Sequence, residues 1–347
     1  MRPRRSSPLA FGVFGILALT FAVVVVIAGL VGGDDAGVPA GPKTGPVATE
    51  NGGPVPAEGA EISPPDVTPP SPLKLREAGD GNGAGGVPIT LAARSGTSVD
   101  LRSMRRTDTT VRLQRNPLYG TGVMGSIACR APRPSTQPAA MYGYLSAVTN
   151  CLDRAWAGKF AQARAVFLAP RRVYWTRPGR GPCGTYPASG AAAYYCPSNR
   201  GMYIGLTHLI RESGNVDPAQ NHVPYLTVLA HEYGHHVQAM SGIGGAWWWE
   251  VADRSKSAQD AHSRRSELQA QCLAGIFTRA VRVPLAVTAA RWQSVLELEY
   301  SRGDDQNGLG KRDHGNGDHF AGWINQGWKY SKIAYCNTWS VPASYVS

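Results

Sequence analysis

An uncharged apolar run near the N-terminus, residues 9–31, limits most strongly how this chain can fold. As a helix, a run of this length rises about 35 Å, which is enough to cross a bilayer. Arg2, Arg4 and Arg5 precede it, and positive charge before a span keeps the N-terminus in the cytoplasm. We therefore predict a cytoplasmic N-terminus at residues 1–8, followed by a single transmembrane anchor.

A cleaved signal peptide is the alternative interpretation of the same run. Signal peptides normally have a shorter apolar core of about 7–15 residues. The sequence Gly-Val-Pro-Ala at residues 37–40 is also a poor cleavage site. An uncleaved anchor in the cell membrane is favoured, with the rest of the chain outside the cytoplasm.

A stretch rich in Gly, Pro, Ala and acidic residues follows the apolar run, at residues 32–110. Such a composition cannot bury enough apolar surface to offset the entropy lost on ordering, so we predict a disordered linker. The cysteines lie between Cys129 and Cys336, in the same part of the chain as the tryptophans. A packed core is therefore expected in one domain at residues 111–347, roughly 230 residues long.

The formal net charge of +11 raises the question of a nucleic-acid partner. No helix-turn-helix, zinc-finger or aromatic RNA-binding signature accompanies the arginines, which are dense between Arg102 and Arg180. A basic surface beside a membrane is better explained by anionic lipids or other anionic envelope material. Nucleic-acid binding is therefore not expected.

Hydrophobic periodicity in the C-terminal part predicts a small sheet followed by a helical half, which is an α+β arrangement. Helices are predicted at residues 138–156, 224–240, 258–281, 284–300 and 318–330. Short strands are predicted at residues 165–168, 173–176 and 202–206.

The helix predicted after Pro224 contains His231-Glu232-Tyr233-Gly234-His235. Two histidines four residues apart leave the same face of a helix, where both can bind one Zn²⁺. Glu232 follows the first histidine and can face a metal-bound water, so it is the candidate general base. Gly234 weakens a helix by about 1 kcal/mol relative to Ala, which suggests that something approaches closely there. The alternative is that these side chains merely occupy an exposed helix face.

A catalytic zinc site needs a third protein ligand. Glu267 is the best candidate, because a carboxylate on a partly buried helix needs a partner. That partner could instead be Arg264 or Arg265, as an ion pair. The alternative third ligands are His262, His314 and His319.

The six cysteines of an extracytoplasmic chain suggest three disulfides, although sequence alone leaves the pairing open. We predict Cys183–Cys196 across a short loop, Cys129–Cys151 at the first helix, and Cys272–Cys336 between the Glu267 helix and the C-terminal segment. A zinc site made of cysteines is disfavoured, because the sequence contains no Cys-x-x-Cys spacing.

Several segments together resemble the family known as putative neutral zinc metallopeptidases. They are HEYGHHVQ at residues 231–238, ELQA at 267–270 with Cys272 and Ala274-Gly275, GDD at 303–305, His314-Gly315, Trp323, Gly327 and CNT at 336–338. Their order and spacing cover about residues 111–347. The resemblance implies a zincin-like fold with Zn²⁺ as cofactor, His231, His235 and Glu267 as zinc ligands, and Glu232 as general base.

The chain departs from the family pattern at two positions. Gln271 stands where the family has Asp, four residues past Glu267, and would orient a ligand histidine from behind without a negative charge. Changes of this kind typically reduce metal affinity or activity by about 10–100-fold. Phe320 stands where the family has Arg shortly after the His-Gly pair.

The expected function is hydrolysis of peptide bonds in a protein or peptide substrate, with endopeptidase action favoured. His314 is the candidate donor for the tetrahedral oxyanion, with Tyr233 or His236 as substitutes. Alternatively, His314 is a solvent-exposed loop residue. The two departures motivate a second hypothesis, a catalytically weakened or inactive zinc-binding scaffold or interaction protein of the cell envelope.

Overall fold

The structure is a computed structural model that describes Arg102 and residues 108–187, 191–306, 310 and 312–347. The predicted cytoplasmic segment, the transmembrane anchor and almost all of the predicted linker lie outside these residues. Within the described ranges, no helix is both long enough and apolar enough to cross a membrane. The first helix begins at Thr109, two residues before the predicted start of the domain.

Eight α-helices and five short strands make up the described part of the chain. The helices are α1 (Thr109–Gln114), α2 (Pro138–Gln162), α3 (His208–Glu212), α4 (Val223–Met240), α5 (Ile243–Val251), α6 (Lys256–Ala280), α7 (Ala289–Ser301) and α8 (Gly317–Tyr330). The strands are β1 (Arg171–Trp175), β2 (Gly179–Gly181), β3 (Gly184–Tyr186), β4 (Ala193–Cys196) and β5 (Gly201–Gly205). Short 3-10 helices lie at Pro117–Thr121, Ile333–Cys336 and Ala343–Tyr345. The predicted α+β class is confirmed.

The strands form a three-stranded sheet and a separate hairpin. In the sheet, β5 lies between β1, which is parallel to it, and β4, which is antiparallel. Strands β2 and β3 form the antiparallel hairpin. Every residue of β4 and β5 is buried, because the sheet packs against α4. The sheet therefore covers one side of the helix that contains the two histidines.

Two element predictions were wrong. Residues 165–168 do not form a strand, and the carbonyl of Leu168 is instead bound by the ring of His236. Helix α7 begins at Ala289 rather than at residue 284, because Ala286 has a positive φ of 50° and Thr288 caps the helix at Arg291 N–H.

Helices α4, α6 and α8 pack closely because glycines lie where they cross. A Cβ atom on Gly234 of α4 would lie 3.0 Å from the backbone of Ala270 in α6. Cβ atoms on Gly275 of α6 and Gly327 of α8 would each lie 1.9 Å from a backbone carbonyl oxygen of the facing helix. The close approach that Gly234 suggested is thus the backbone of α6, which brings Glu267 to the histidines.

All three predicted disulfides form: Cys129–Cys151, Cys183–Cys196 and Cys272–Cys336. The first attaches the segment before α2 to that helix. The third attaches α6 to the C-terminal 3-10 helix. The third thus ties two elements that are distant in sequence, and it does so less than two helical turns past the proposed ligand Glu267.

Candidate metal centre

Helix α4 places the two histidines of the predicted zinc site inside the domain. Pro224 lies in the first turn, where its missing N–H does not cost a hydrogen bond. His231 is 7% exposed and Glu232 is 5% exposed, and most other residues of the helix are buried. The alternative of a solvent-exposed helix face is therefore wrong.

Glu267 of α6 meets both histidines. Its Oε2 atom lies 3.1 Å from His231 Nε2 and 3.3 Å from His235 Nε2, and the two Nε2 atoms are 3.1 Å apart. Arg264 and Arg265 do not pair with Glu267. They donate instead to backbone carbonyls of Arg312, Thr338, Val341 and Val346.

Hydrogen bonds behind the rings determine which nitrogen of each histidine faces Glu267 with a lone pair. His231 Nδ1 lies 3.1 Å from Gln271 Oε1, and His235 Nδ1 lies 2.9 Å from Gln238 Oε1. A carbonyl oxygen can only accept, so each Nδ1 bears the proton and each neutral ring presents a lone pair at Nε2. Three acceptor atoms then converge on one point, which requires a positive charge between them.

The geometry of the three atoms fits zinc. In a tetrahedral site with bonds of 2.0–2.1 Å, ligand atoms lie about 3.3 Å apart. Three protein ligands leave the fourth position open, as in catalytic rather than structural zinc sites. The other oxygen of Glu267, Oε1, is buried, and none of the described residues hydrogen-bonds to it. That oxygen is available to the same ion.

Electrostatics in the absence of metal agree with a cation site. Burial opposes ionisation of Glu267, but the two histidines hold the pKa of its carboxyl well below its usual range. Burial would lower the pKa of His235, yet the Glu267 carboxylate raises it to about 9. Without an ion, a proton on His235 therefore supplies the positive charge that Glu267 needs.

Glu232 lies beside this site but is not part of the group of side chains that can share one ion, which comprises His231, His235 and Glu267 in the described chain. Burial raises the pKa of the Glu232 carboxyl, and the neighbouring His231 and His235, together with the backbone N–H of Tyr195, partly offset the effect. A buried carboxylate with a raised pKa is a stronger base than an exposed one.

His314 also lies at the site. It is 7% exposed, and its Nε2 atom lies 3.9 Å from Glu267 Oε2. Asp313 accepts a hydrogen bond from Nδ1 at 2.7 Å, and the Asp304 carboxylate accepts the backbone N–H groups of His314 and Gly315. The alternative of a solvent-exposed loop histidine is therefore wrong.

The other histidines and Tyr233 do not reach the site. His262 Nδ1 bonds to Ala258 O, and His319 Nδ1 bonds to Ser347 O. The ring of His236 donates to Leu168 O, and burial lowers its pKa to about 4. The Tyr233 hydroxyl donates to Asp153. Tyr233 and His236 were therefore wrong as substitutes for His314, because their positions on α4 direct them towards the core.

Phe320 of α8 forms an apolar wall of the site. Its ring centroid lies 6.3 Å from that of His231 and 6.0 Å from that of His314. The side chain is buried and uncharged, so position 320 contributes no cation to the site. His314 is thus the basic side chain that the structure places beside the three ligand atoms.

Two residues that support the candidate site through hydrogen bonds were not recognised from the sequence. Gln238 lies three residues past His235 on the same helix, and that spacing could have identified it. Glu299 accepts a hydrogen bond from Gln271 Nε2 at 2.9 Å. No local pattern indicated Glu299, because it reaches the site from α7, far along the chain.

A mixed domain in which two histidines of one buried helix face a carboxylate of a second helix is typical of zinc hydrolases. The comparison with known families agrees, and the chain belongs to the family described as "Putative neutral zinc metallopeptidase", whose model matches residues 76–339. Membership of this family implies zinc as the cofactor. The matched region begins within the segment that we predicted to be a linker.

The chain is also similar to two bacterial proteins. It is 25% identical over 233 residues to "Uncharacterized protein YpfJ" of Escherichia coli K12, an alignment that covers 64% of this chain and 78% of that protein. It is 29% identical over 150 residues to "Uncharacterized protein Rv2575" of Mycobacterium tuberculosis H37Rv, covering 38% and 48% respectively. No solved structure matches the chain significantly.

Proposed function

We propose that this protein is a membrane-anchored zinc peptidase that hydrolyses peptide bonds outside the cytoplasm. The observation that supports the proposal most strongly is the buried Glu232 carboxylate beside three converging acceptor atoms with one coordination position left open. The apolar run at residues 9–31 and its arginine flank support the anchor and its orientation.

His231, His235 and Glu267 would hold the ion. Zinc bound there supplies Lewis acidity, which makes a bound water far more acidic and polarises a carbonyl group. Glu232 is placed to take the proton of the attacking water and to return it to the leaving amine. Its burial favours this role, because a raised pKa makes it competent both to accept and to donate a proton.

His314 is proposed to stabilise the oxyanion. Burial acts to lower the pKa of its ring, but Asp313, Glu267 and Asp304 together raise it. With Nδ1 bonded to Asp313, the protonated ring presents Nε2–H towards the site, and no hydrogen-bond partner among the described residues occupies that atom. A donor fixed in a dry site stabilises developing negative charge without reorganisation.

The second candidate function is a zinc-binding scaffold or interaction protein of the cell envelope. It is favoured by the neutral glutamines behind both histidines and by Phe320 in place of a cation. Under this proposal the chain binds zinc with high occupancy but turns over no peptide.

The Glu232→Gln variant separates the two functions, because it keeps the size of the side chain and removes the base. Full-length protein should bind one zinc and cleave an unfolded protein substrate, with cleavage abolished by a chelator and restored by added zinc. Glu232→Gln should retain zinc and lose turnover by at least about 100-fold. The matched control is Glu297→Gln, an exposed glutamate of α7 outside the site. Undiminished cleavage by Glu232→Gln would refute the proposed base, and zinc binding without any cleavage by wild-type protein would favour the scaffold.

A further inference from the structure

A continuous chain of buried hydrogen bonds runs from one zinc ligand to helix α7. His231 Nδ1 bonds to Gln271 Oε1 at 3.1 Å, and Gln271 Nε2 donates to Glu299 Oε2 at 2.9 Å. Arg302 Nη1 then donates to both oxygens of Glu299, at 2.9 and 3.0 Å. Gln271 and Glu299 are at most 2% exposed, so water does not compete for these bonds.

The side-chain amide of Gln271 could face His231 in either of two orientations, whereas a carboxylate in its place would present an oxygen in both. An amide has an accepting end and a donating end of nearly equal size, and a half-turn exchanges them. If the NH₂ group faced His231, it would donate to Nδ1 and move the proton of the neutral ring to Nε2. That tautomer has no lone pair at Nε2 to offer to zinc.

Glu299 removes this ambiguity because both of its carboxyl oxygens accept hydrogen bonds from Arg302 and therefore act as acceptors towards Gln271 as well. The NH₂ group of Gln271 must therefore face Glu299, and its carbonyl oxygen must face His231. The alternative orientation would place the amide oxygen against a buried carboxylate, which is repulsive where water is excluded. Arg302 also donates through Nη2 to the backbone carbonyl of Glu212, which fixes its position beside Glu299.

We propose that Glu299 is a positioning residue for the zinc site. Through Gln271 it holds His231 in the tautomer that presents the Nε2 lone pair to the metal. In this chain, Gln271 and Glu299 together do what a single carboxylate behind the histidine would do. This inference rests on the zinc site of the proposed function but not on peptide hydrolysis, so a protein that binds zinc without cleaving peptides would leave it intact.

The test compares zinc affinity in full-length variants by competition with a chromogenic chelator. Glu299→Gln allows either orientation of Gln271 and should weaken zinc binding by about 10–100-fold. The double variant Gln271→Glu with Glu299→Gln exchanges the two groups and returns an acceptor-only side chain to His231. It should recover most of the lost affinity. Glu297→Gln makes the same charge change on the exposed face of α7 and should bind zinc like wild type.

Thermal unfolding of the metal-free variants shows which of them are folded. Zinc affinity then separates positioning from a merely structural role: if Glu299 only stabilised the fold, the double variant would bind zinc no better than Glu299→Gln. That result, or an unchanged affinity in a folded Glu299→Gln variant, would overturn the proposal.

A second measurement does not require any variant to fold. Nitrogen-15 spectra of metal-free wild-type protein should place the proton of the neutral His231 ring on Nδ1. A proton found on Nε2 would overturn the proposal, because Gln271 would then have the opposite orientation.

Discussion

The two histidines proposed to bind zinc are held in different ways, although they lie one turn apart on the same helix. Gln238 holds His235 from within α4, and its amide donates to Ser266 O at 2.8 Å and to Gln269 Oε1 at 3.0 Å. Gln271 holds His231 from α6, and its amide donates to the single carboxylate of Glu299.

The two histidines therefore differ in how strongly their orientation depends on a single supporting residue. A backbone carbonyl cannot be removed by substitution, and Gln269 is itself fixed by Cys336 O at 3.0 Å and Tyr119 Oη at 2.8 Å. The amide of Gln238 therefore has two acceptors from a connected network. The amide of Gln271 has one, so we expect the His231 side to be the more sensitive of the two.

The largest effect is expected from removal of the ligand that both sides share. Glu267→Ala takes away the carboxylate that contacts both Nε2 atoms. Zinc affinity should fall by more than the roughly 10–100-fold expected when a residue that hydrogen-bonds to a ligand is replaced. Metal analysis of the dialysed protein should find no stoichiometric zinc, whereas Glu297→Ala should retain it. Full zinc occupancy in Glu267→Ala would contradict the assignment of the third ligand.

Removal of the Cys272–Cys336 disulfide tests the His235 side through its C-terminal support. Replacing both cysteines by Ala opens a loop with a sequence separation of 64 and should lower the free energy of unfolding by about 4 kcal/mol. Zinc affinity should also fall, because the C-terminal segment that presents the backbone carbonyl of residue 336 to Gln269 is no longer attached to α6.

The matched control is the pair Cys129→Ala and Cys151→Ala. Its separation of 22 predicts a loss of about 3 kcal/mol, and zinc affinity should not change. Urea unfolding and chelator competition measure the two quantities. Equal losses of zinc affinity in both pairs would mean that the disulfides act on the site only through global stability.

We predict that the stability of the protein depends on pH through Glu212. This residue adjoins the residues that support His231, since its backbone carbonyl accepts a hydrogen bond from Arg302. Burial raises the pKa of the Glu212 carboxyl from 4.5 to about 8. The folded state therefore binds a proton that the unfolded chain releases, and stability falls as pH rises from about 4.5 to about 8. Glu212→Gln, which imitates the protonated form, should be less sensitive to pH in this range. Urea midpoints at pH 5, 7 and 9 measure the effect, and parallel pH profiles for both proteins would contradict it.

The smallest effect is expected from Ser266→Ala on the His235 side. This change removes the hydroxyl that donates to Gln238 Oε1 at 3.1 Å but leaves the backbone carbonyl of residue 266 in place. One neutral hydrogen bond contributes about 1 kcal/mol, so zinc affinity should fall by less than about 5-fold. If Ser266→Ala reduced zinc affinity as much as Glu299→Gln, the proposed difference in sensitivity between the His235 side and the His231 side would be wrong.

The sequence was informative where a local spacing determines geometry. Four-residue spacing on a helix placed His231 beside His235 and placed Gln271 on the same face as Glu267. The cysteine pairs were also correct, and the Gly234 position did indicate a close contact.

The sequence was uninformative where the geometry comes from tertiary packing. Glu299 was missed, because it reaches Gln271 from α7 and no spacing in the chain links it to α4. His314 was named as a candidate, but no spacing predicted that the loop before α8 brings it to Glu267. Tyr233 and His236 were misjudged for a different reason. Neighbours in sequence lie about 100° apart around a helix, so closeness to His235 in the chain does not place a side chain at the metal.

X-ray absorption at the zinc edge measures whether two imidazoles and one carboxylate hold the zinc ion with a position left open. Zinc-loaded full-length protein should show two imidazole nitrogens at about 2.0–2.1 Å, oxygen ligands at similar distances and no sulfur. Sulfur at about 2.3 Å, or a shell without imidazole, would contradict the account.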